Sequence, residues 1–469
     1  MPKVDPGYLN KNGKALILLE SVIIVISMIM TMELTSYVFE KPFTSQELIF
    51  NTFYIVFSFM FAAQFFALAL GLYSRECRED FLGISQRFLL SFLLAFLLVI
   101  VGLAVLENQK GYEPSLFMSA AVSCSIICFL RYQLLNFVVA HSFKKRILVL
   151  GAGKRASIIE RRMRREVDRR QVEIVGFVRF DGDCEEELCR DKLLTLEGSV
   201  DQFAQKHNIE KIVVACDERR NNVPYEALSK CKLKGIDIVD ILSFVEHETD
   251  QLAIDLIYPG WVIYSQAFQG PTRMNAFYHR VFNTILAFCI LLFSWPFLIL
   301  AIIGIKIEDG LLASVFYQQV RVGLNGQLFT IYKLRSMREN AEAGGAVWAK
   351  ENDDRTTVVG RFIRKYRVDE LPQLYNVIKG DMGFVGPRPE RPEFVEQLAV
   401  KIPFYNERHH VKPGLTGWAQ LRYPYGASET DALEKLKFDL YYVKNRSYLF
   451  DLLILLRTIE IVIFSKGSR

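Results

Sequence analysis

The sequence has no Cys-x-x-Cys pair: its eight cysteines are scattered, and Cys124, Cys128 and Cys289 fall in apolar segments. That argues against a zinc site or a disulfide framework and suits reduced cytosolic thiols. Strong net charge is also missing. Lys plus Arg number 57 against 52 Asp plus Glu, leaving +5 over 469 residues, which is too little to make nucleic acid the main partner. No small-residue cleavage pattern follows the first long apolar stretch, and that stretch is too long for a signal-peptide core, so it is expected to persist as a helix.

What is abundant is apolar length. Hydrophobic residues make up 51% of the chain, high for a purely soluble protein. Ala15 to Tyr37, Leu48 to Tyr73, Phe88 to Leu106 and Leu116 to Ala140 are each long enough to cross a bilayer as a helix. Lys3, Lys11 and Lys14 precede the first span, Arg75, Arg78 and Arg87 separate the second from the third, and Lys144, Lys145 and Arg146 follow the fourth. The other two loops hold only Lys41 and Lys110. This bias puts the N-terminus and everything after the fourth span in the cytoplasm. Glu20, Glu33 and Arg131, within or at the edges of spans, should face partners or snorkel.

After the fourth span, Arg146-Ile-Leu-Val-Leu-Gly151-Ala-Gly153-Lys-Arg-Ala156 reads as strand, tight glycine turn and helix start. Further strands are expected at Val172 to Val178, Lys211 to Ala215 and Ile236 to Ile241. The alternation with helical stretches predicts a Rossmann-like parallel α/β domain over residues 143–245. Its glycine turn can cradle a dinucleotide pyrophosphate or can be retained for shape, regulation or assembly. The acid expected at the end of the second strand is displaced to Asp181, behind Arg179 and Phe180.

Residues 246–275 read as a linker. Val281 to Ile305 then runs without a charge, flanked by His279 and Arg280 before it and Lys306 after it, with Ser294-Trp295-Pro296 at its middle. Basic flanks on both sides and a central helix breaker predict a helix-break-helix hairpin over residues 276–306 that enters and leaves by the cytoplasmic face; a kinked fifth span is the alternative. The remainder, residues 307–469, is mixed, polar and mainly helical, ending in an amphipathic segment suited to an interface.

Within it, Leu371 to Gly380 predicts a short helix with Pro372 in its first turn and glycine at its end, placing Asp369 and Glu370 at its N-terminus. There the dipole favours ionised carboxylates, as a nucleophile or metal ligand requires, although Asp369 can equally be a cap. Arg364 lies upstream, and Gly380-Asp-Met-Gly383-Phe-Val-Gly386-Pro-Arg388-Pro downstream offers glycines through which backbone amides can approach an oxyanion, plus a guanidinium. Lys333 adds a further cation.

These pieces, with Gln319-x-Arg321-x-Gly323, Lys333-x-Arg-Ser-Met337, Asp354-x-x-Thr and Lys412-Pro-Gly-Leu-Thr-Gly-Trp-x-Gln420, run in order over nearly all of residues 275–469. The sequence here closely resembles the bacterial sugar transferases, monotopic phosphoglycosyl transferases that begin lipid-linked glycan assembly, and the preceding spans (residues 1–142) and α/β domain resemble the long form of that family. The resemblance implies transfer of a sugar-1-phosphate from a UDP-sugar to polyprenyl phosphate, with release of UMP, as the first membrane step of exopolysaccharide, capsule or O-antigen synthesis. It makes Asp369 the covalent nucleophile and a contact for Mg²⁺, Glu370 its assistant, Arg364, Arg388 and Lys333 phosphate-binding residues, and Ser294 and Pro296 the hairpin's turning point. A multi-pass protein of the bacterial cytoplasmic membrane is expected, its catalytic domain on the cytoplasmic face, with a homodimer as one possible assembly. The rival readings are a direct ternary-complex transferase and a non-enzymatic membrane regulator that senses a nucleotide. The choice of sugar is left to residues 338–353 or 421–432.

Overall fold

The computed structural model describes residues 11–38, 46–70, 72–73, 81–105, 113–141, 144–163, 172–184, 192–196, 198–218, 223–257, 260, 273–338, 354–423, 426 and 428–464. The chain forms two compact units, one up to Lys145 with Arg170–Val172, the other Arg146–Arg169 with Glu173–Arg469. Lys3, Lys41, Arg75, Arg78, Lys110, residues 339–353 and most of 258–272 lie outside the described residues.

The first unit contains α1 (Lys11–Val38), α2 (Gln46–Ala69), α3 (Phe81–Val105) and α4 (Glu113–His141). α1, α3 and α4 include stretches long and apolar enough to cross a membrane, as does a later helix over Ala276–Asp309. Ile24, Met28, Phe59, Phe88 and Ile127 pack between the helices, while Leu18, Phe61, Leu98 and Phe129 point outward, as a bundle in lipid requires. The charges expected to need partners include a pair: Arg131 Nε meets Glu20 Oε1 at 2.6 Å, and the Tyr73 hydroxyl also donates to Glu20.

The second unit begins with a five-stranded sheet of β1 (Lys145–Leu150), β2 (Val172–Val178), β3 (Leu193–Leu194), β4 (Lys211–Val214) and β5 (Asp237–Asp240), ordered β3-β2-β1-β4-β5. The β1–β4, β2–β3 and β4–β5 pairs are parallel. Helices α5 (Lys154–Arg162), α6 (Val200–Lys206), α7 (Tyr225–Leu233) and α8 (Ile241–Thr249) accompany the strands. Val-, Ile- and Leu-rich strands such as Ile147 to Leu150 are fully buried, the pattern of a parallel sheet covered by helices.

The expected linker needs correction at its start. α8 continues to Thr249, and Leu252 and Ile254 are buried in one core with Leu398, Leu436 and Leu440. A segment with this apolar pattern gains more by burial than by staying in water.

α9 (Arg273–Asp309) follows. The expected break does not separate two helices: α9 is helical throughout and carries Pro296 inside it. An interior proline removes one hydrogen bond and imposes a kink, which flanking turns of apolar helix can absorb. Near one end, Arg280 donates to the carbonyls of Val377 and Ile378, and Asn283 accepts from Phe384 N at 3.2 Å. Near the other, Glu308 accepts from Val358 N and Val359 N at 2.7 and 2.8 Å, and Asp309 pairs with Arg335 at 3.1 Å. Both ends are thus held by the same polar domain, while Leu292, Phe293 and Leu300 between them are exposed.

That domain contains the antiparallel hairpin β6 (Phe316–Val322) and β7 (Leu328–Leu334), turned by Asn325 and Gly326 at positive φ. α10 (Val358–Lys365), capped by Thr357, leads to a 3₁₀ turn at Val368–Gln373 and to α11 (Leu374–Lys379). β8 (Gly383–Val385) pairs in parallel with β9 (Gly414–Thr416), between which lies α12 (Pro392–Lys401). α13 (Trp418–Arg422), α14 (Glu429–Asn445) and α15 (Tyr448–Phe464) complete the described chain.

Candidate active site

Asp369 and Glu370 lie inside the 3₁₀ turn rather than ahead of a helix. The turn is entered through Arg367, at φ 55°, and left through α11, whose end is marked by Gly380 at φ 98°. A side chain added at Gly380 would strike the Arg280 guanidinium. α11 is fastened to the strands by the buried Asn376, whose Nδ2 donates to Thr330 O at 2.7 Å while its Oδ1 accepts from Tyr332 N at 3.3 Å. That holds Lys333, next along β7, beside the acidic pair.

The two carboxylates have opposite surroundings. Glu370 Oε1 accepts from Arg388 Nη2 at 2.8 Å and Lys333 Nζ at 3.3 Å, and its Oε2 lies 3.7 Å from Arg367 Nη1. Burial alone would raise its pKa, but Arg388, Lys333 and Arg367 together hold it well below the usual carboxylate range. Asp369 is 9% exposed and accepts no hydrogen bond from the described residues. Burial first and the Glu370 charge second push it up to about 6, against the pull of Lys333, Arg364 and Arg388. The helix-end expectation of an especially acidic Asp369 is therefore reversed, and it is not a cap. Near neutral pH the group is still mostly ionised, but as a carboxylate with no donor to satisfy it.

The cations are tuned by the same contacts. Burial lowers Lys333, whereas the Glu370 charge raises Arg388. Arg364 Nη1 is buried without a hydrogen-bond partner. An unsatisfied guanidinium nitrogen and an unsatisfied carboxylate in one electrostatic cluster are costly for folding and suited to an incoming ligand. Ser294 and Pro296 lie in the long apolar helix, outside this charged cluster.

The glycines serve differently from expectation. Gly383 N donates to Pro413 O at 2.8 Å and Gly386 N to Thr416 O at 2.9 Å. A Cβ on Gly386 would lie 2.3 Å from Lys412 O and one on Gly414 would lie 2.2 Å from Gly386 N. These glycines let β8 and β9 approach; their amides are not open to an oxyanion.

For a metal, the described residues hold no group of three His, Cys, Asp or Glu side chains. Of the two adjacent acids, Glu370 is occupied by cations, whereas Asp369 accepts no hydrogen bond from the described residues. One carboxylate with few other ligands suits Mg²⁺ that shares its shell with substrate phosphates.

Residues 274–465 match the family model for bacterial sugar transferases. A sugar transferase of Bacillus subtilis, the uncharacterized EpsL, is 38% identical over 192 residues, covering 40% of this chain and 88% of that protein. The chain belongs to the bacterial sugar transferase family. Another member, the UDP-N-acetylgalactosamine-undecaprenyl-phosphate N-acetylgalactosaminephosphotransferase of Aeromonas hydrophila, is 40% identical over 243 residues, 52% of this chain and 56% of that one. A UDP-glucose:undecaprenyl-phosphate glucose-1-phosphate transferase of Escherichia coli is 33% identical over 259 residues, 54% of each. The chain thus spans about half the length of the latter two relatives, and their names differ in the sugar.

The family motif marks the acids and most of the cations, but Arg408 and Asp439 were missed. Arg408 Nη2 donates to Arg388 O at 3.0 Å and pairs with Asp439 at 2.7 Å. Nothing local signals them, because the contacts span 20 and 31 positions of sequence.

The other glycine turn, in the α/β domain, is closed by the protein itself. Asp217 accepts from the amides of Lys154, Arg155 and Cys184 at 2.9, 2.8 and 3.2 Å. Asp183 accepts from those of Ala152, Phe180 and Asp217 at 2.9, 3.0 and 3.1 Å. Two carboxylates take the donors to which a pyrophosphate would bind.

Proposed function

We propose that this sugar transferase moves a sugar-1-phosphate from a UDP-sugar to polyprenyl phosphate, giving polyprenyl diphosphate sugar and UMP. The observation that carries the reading is the division of labour between neighbours: Glu370 gathers Lys333, Arg367 and Arg388, while Asp369 is buried and accepts no hydrogen bond from the described residues. An oxygen of Asp369 attacks the β-phosphorus, and the bond to the bridging oxygen breaks to release UMP. The phosphosugar is then held as an acyl phosphate. An oxygen of polyprenyl phosphate attacks the same phosphorus, and the Asp369 carboxylate leaves unchanged.

Arg388, Lys333 and Arg364 are the groups to hold the diphosphate. Their positions are set before substrate arrives, so charge stabilisation needs little reorganisation. Glu370 keeps two of those cations in place. Asp369 would hold Mg²⁺, which supplies neutralisation of diphosphate charge when bound. Because both ends of α9 are gripped by the polar domain, we read α9 as a single re-entrant helix bent at Pro296 rather than two helices joined by a break. It would keep Asp369 at the cytoplasmic interface, within reach of a soluble nucleotide sugar and a lipid phosphate.

The test is to incubate the full chain with Mg²⁺ and labelled UDP-sugars, without acceptor lipid, and look for one labelled phosphosugar per chain with release of UMP. Ping-pong kinetics and loss of adduct in Asp369→Asn are expected. An active Asp369→Asn variant with no adduct on the wild type would favour a direct ternary mechanism. Absence of UMP across a broad donor panel would favour a non-enzymatic regulator.

A further inference from the structure

α14 presents two separate faces to two parts of the protein. At 100° per residue, Glu434, Lys437, Tyr441 and Lys444 form one stripe, and Lys435, Asp439 and Tyr442 form a second roughly 150° away. The first stripe meets the α/β domain and the segment leaving it. Arg162 Nη1 lies 3.2 Å from Glu434, Leu252 N donates to Lys437 O at 3.0 Å, the Tyr441 hydroxyl donates to Asp250 at 3.2 Å, and Lys444 donates to Glu246 at 2.5 Å.

The second stripe holds the loop that carries Arg388. The Tyr442 hydroxyl, which donates to Asp451 at 2.7 Å, packs 3.3 Å from Val385 O, just before the loop. Asp439 pairs with Arg408 at 2.7 Å, both side chains being almost wholly buried. Arg408 Nη2 donates to Arg388 O at 3.0 Å, and its Nη1 donates to the Tyr405 hydroxyl at 2.8 Å. A guanidinium can reach these acceptors because its donors form a rigid fork, which an ammonium lacks. Arg388 then donates to Glu370.

We propose that α14 is a strut through which the α/β domain sets the position of Arg388, with Arg408 and Asp439 as positioning residues. Burying a charged pair is justified here by geometry: it fixes a backbone carbonyl at the base of a substrate-facing guanidinium. The consequence for catalysis rests on the proposed phosphotransfer, whereas the mechanical link does not.

The experiment uses the full chain in lipid nanodiscs, with amide hydrogen exchange of residues 383–390 and UMP release as independent readouts. In Arg408→Lys, exchange in this segment should rise about tenfold, and kcat should fall about 10- to 100-fold with KM for the UDP-sugar changed less than about threefold. On the far face, Tyr441→Phe combined with Lys444→Met should raise exchange in the same segment and lower kcat by about threefold. Adding these changes to Arg408→Lys should have no further effect. Unaltered exchange at 383–390 in the far-face variant, or additive effects, would overturn the strut. Wild-type exchange and kcat in Arg408→Lys would overturn the positioning role. Should Arg408→Lys unfold, exchange will also rise in β4 and β5, and the far-face variant decides alone. If the wild type releases no UMP from any donor, the proposed reaction fails while the exchange readout still decides the strut.

Discussion

Two glycine turns in the second unit bear the outward signs of phosphate binding, and they differ in what is left over. At Gly151 to Ala156 the donors are satisfied by Asp183 and Asp217. Around Gly383 to Arg388 the glycine amides are equally satisfied, yet in the neighbouring charged cluster Asp369 and Arg364 Nη1 find no hydrogen-bond partner among the described residues. Glycine spacing describes how closely backbones approach. Unsatisfied buried charge describes where a ligand belongs.

The sharpest way to break this contrast is Asp369→Asn. It should lower turnover by about 10⁴-fold or more, as loss of a covalent nucleophile does, measured by UMP release. It should not cost stability. The native pKa of about 6 lies above the usual aspartate value, so the ionised group disfavours folding at pH 7; that penalty begins to lift as pH falls through about 6 and is gone only below the unfolded aspartate value. The variant should therefore unfold at the same or a higher temperature than wild type at pH 7.5. A strongly destabilised Asp369→Asn would place Asp369 among structural charges like Asp217.

Next in size is the cation set. Arg388→Ala should cost about 10²- to 10³-fold in kcat/KM, the scale of losing one preorganised charge-stabilising donor. Glu370→Gln should fall in the same direction, and unlike Asp369→Asn it should also lower stability. Glu370 is held below the carboxylate range by its cations, so its contribution is present above the unfolded carboxylate pKa and lost as pH falls toward the native one. Opposite stability changes in adjacent acids would be read by thermal unfolding at pH 7.5.

The pH profile is a gentler probe. The acid limb of kcat/KM reports the free enzyme's essential base, so activity should drop about tenfold per pH unit once pH passes below about 6. Asp439 is also raised to about 6, by burial, with Glu390 adding to the rise and Arg408 opposing it. Asp439→Asn separates the two: a limb that stays near 6 belongs to Asp369.

Much of this was legible in the sequence for a physical reason. Continuous apolar runs predict α1 to α4, which turn apolar side chains outward as well as inward, and the buried strands β1 and β4, while β2 and β5 follow from their Val and Ile content between helical stretches. Asp369, Glu370 and Arg388 are close in sequence, so one motif reveals them. Arg408 and Asp439 were not legible, since a buried charged pair formed across the fold looks like two ordinary surface charges in one dimension. The docking of residues 250–257 was hidden in the same way: Asp250 finds Arg422, 172 positions away. Pro296 announced a break, but surrounding helical turns kept α9 continuous.

The smallest effect tests the closed turn. Asp217→Ala removes an acceptor shared by three backbone amides, so it should lower stability by about 1–2 kcal/mol, as loss of a helix cap does. Turnover should stay within about twofold, because the charged cluster at Asp369 does not include it. Asp217 is held below the ordinary aspartate value: burial raises it, but the amides of Arg155, Cys184 and Lys154 outweigh that. Its contribution is therefore present above the unfolded pKa and lost as pH falls through the native one, opposite in sign to Asp369. Calorimetric titration of the wild type with NAD⁺, NADP⁺ and UDP in the presence of EDTA should show no dinucleotide bound. A dinucleotide that binds in competition with Asp217, more tightly in Asp217→Ala than in wild type, would make the two turns alike and restore the α/β domain as a nucleotide sensor.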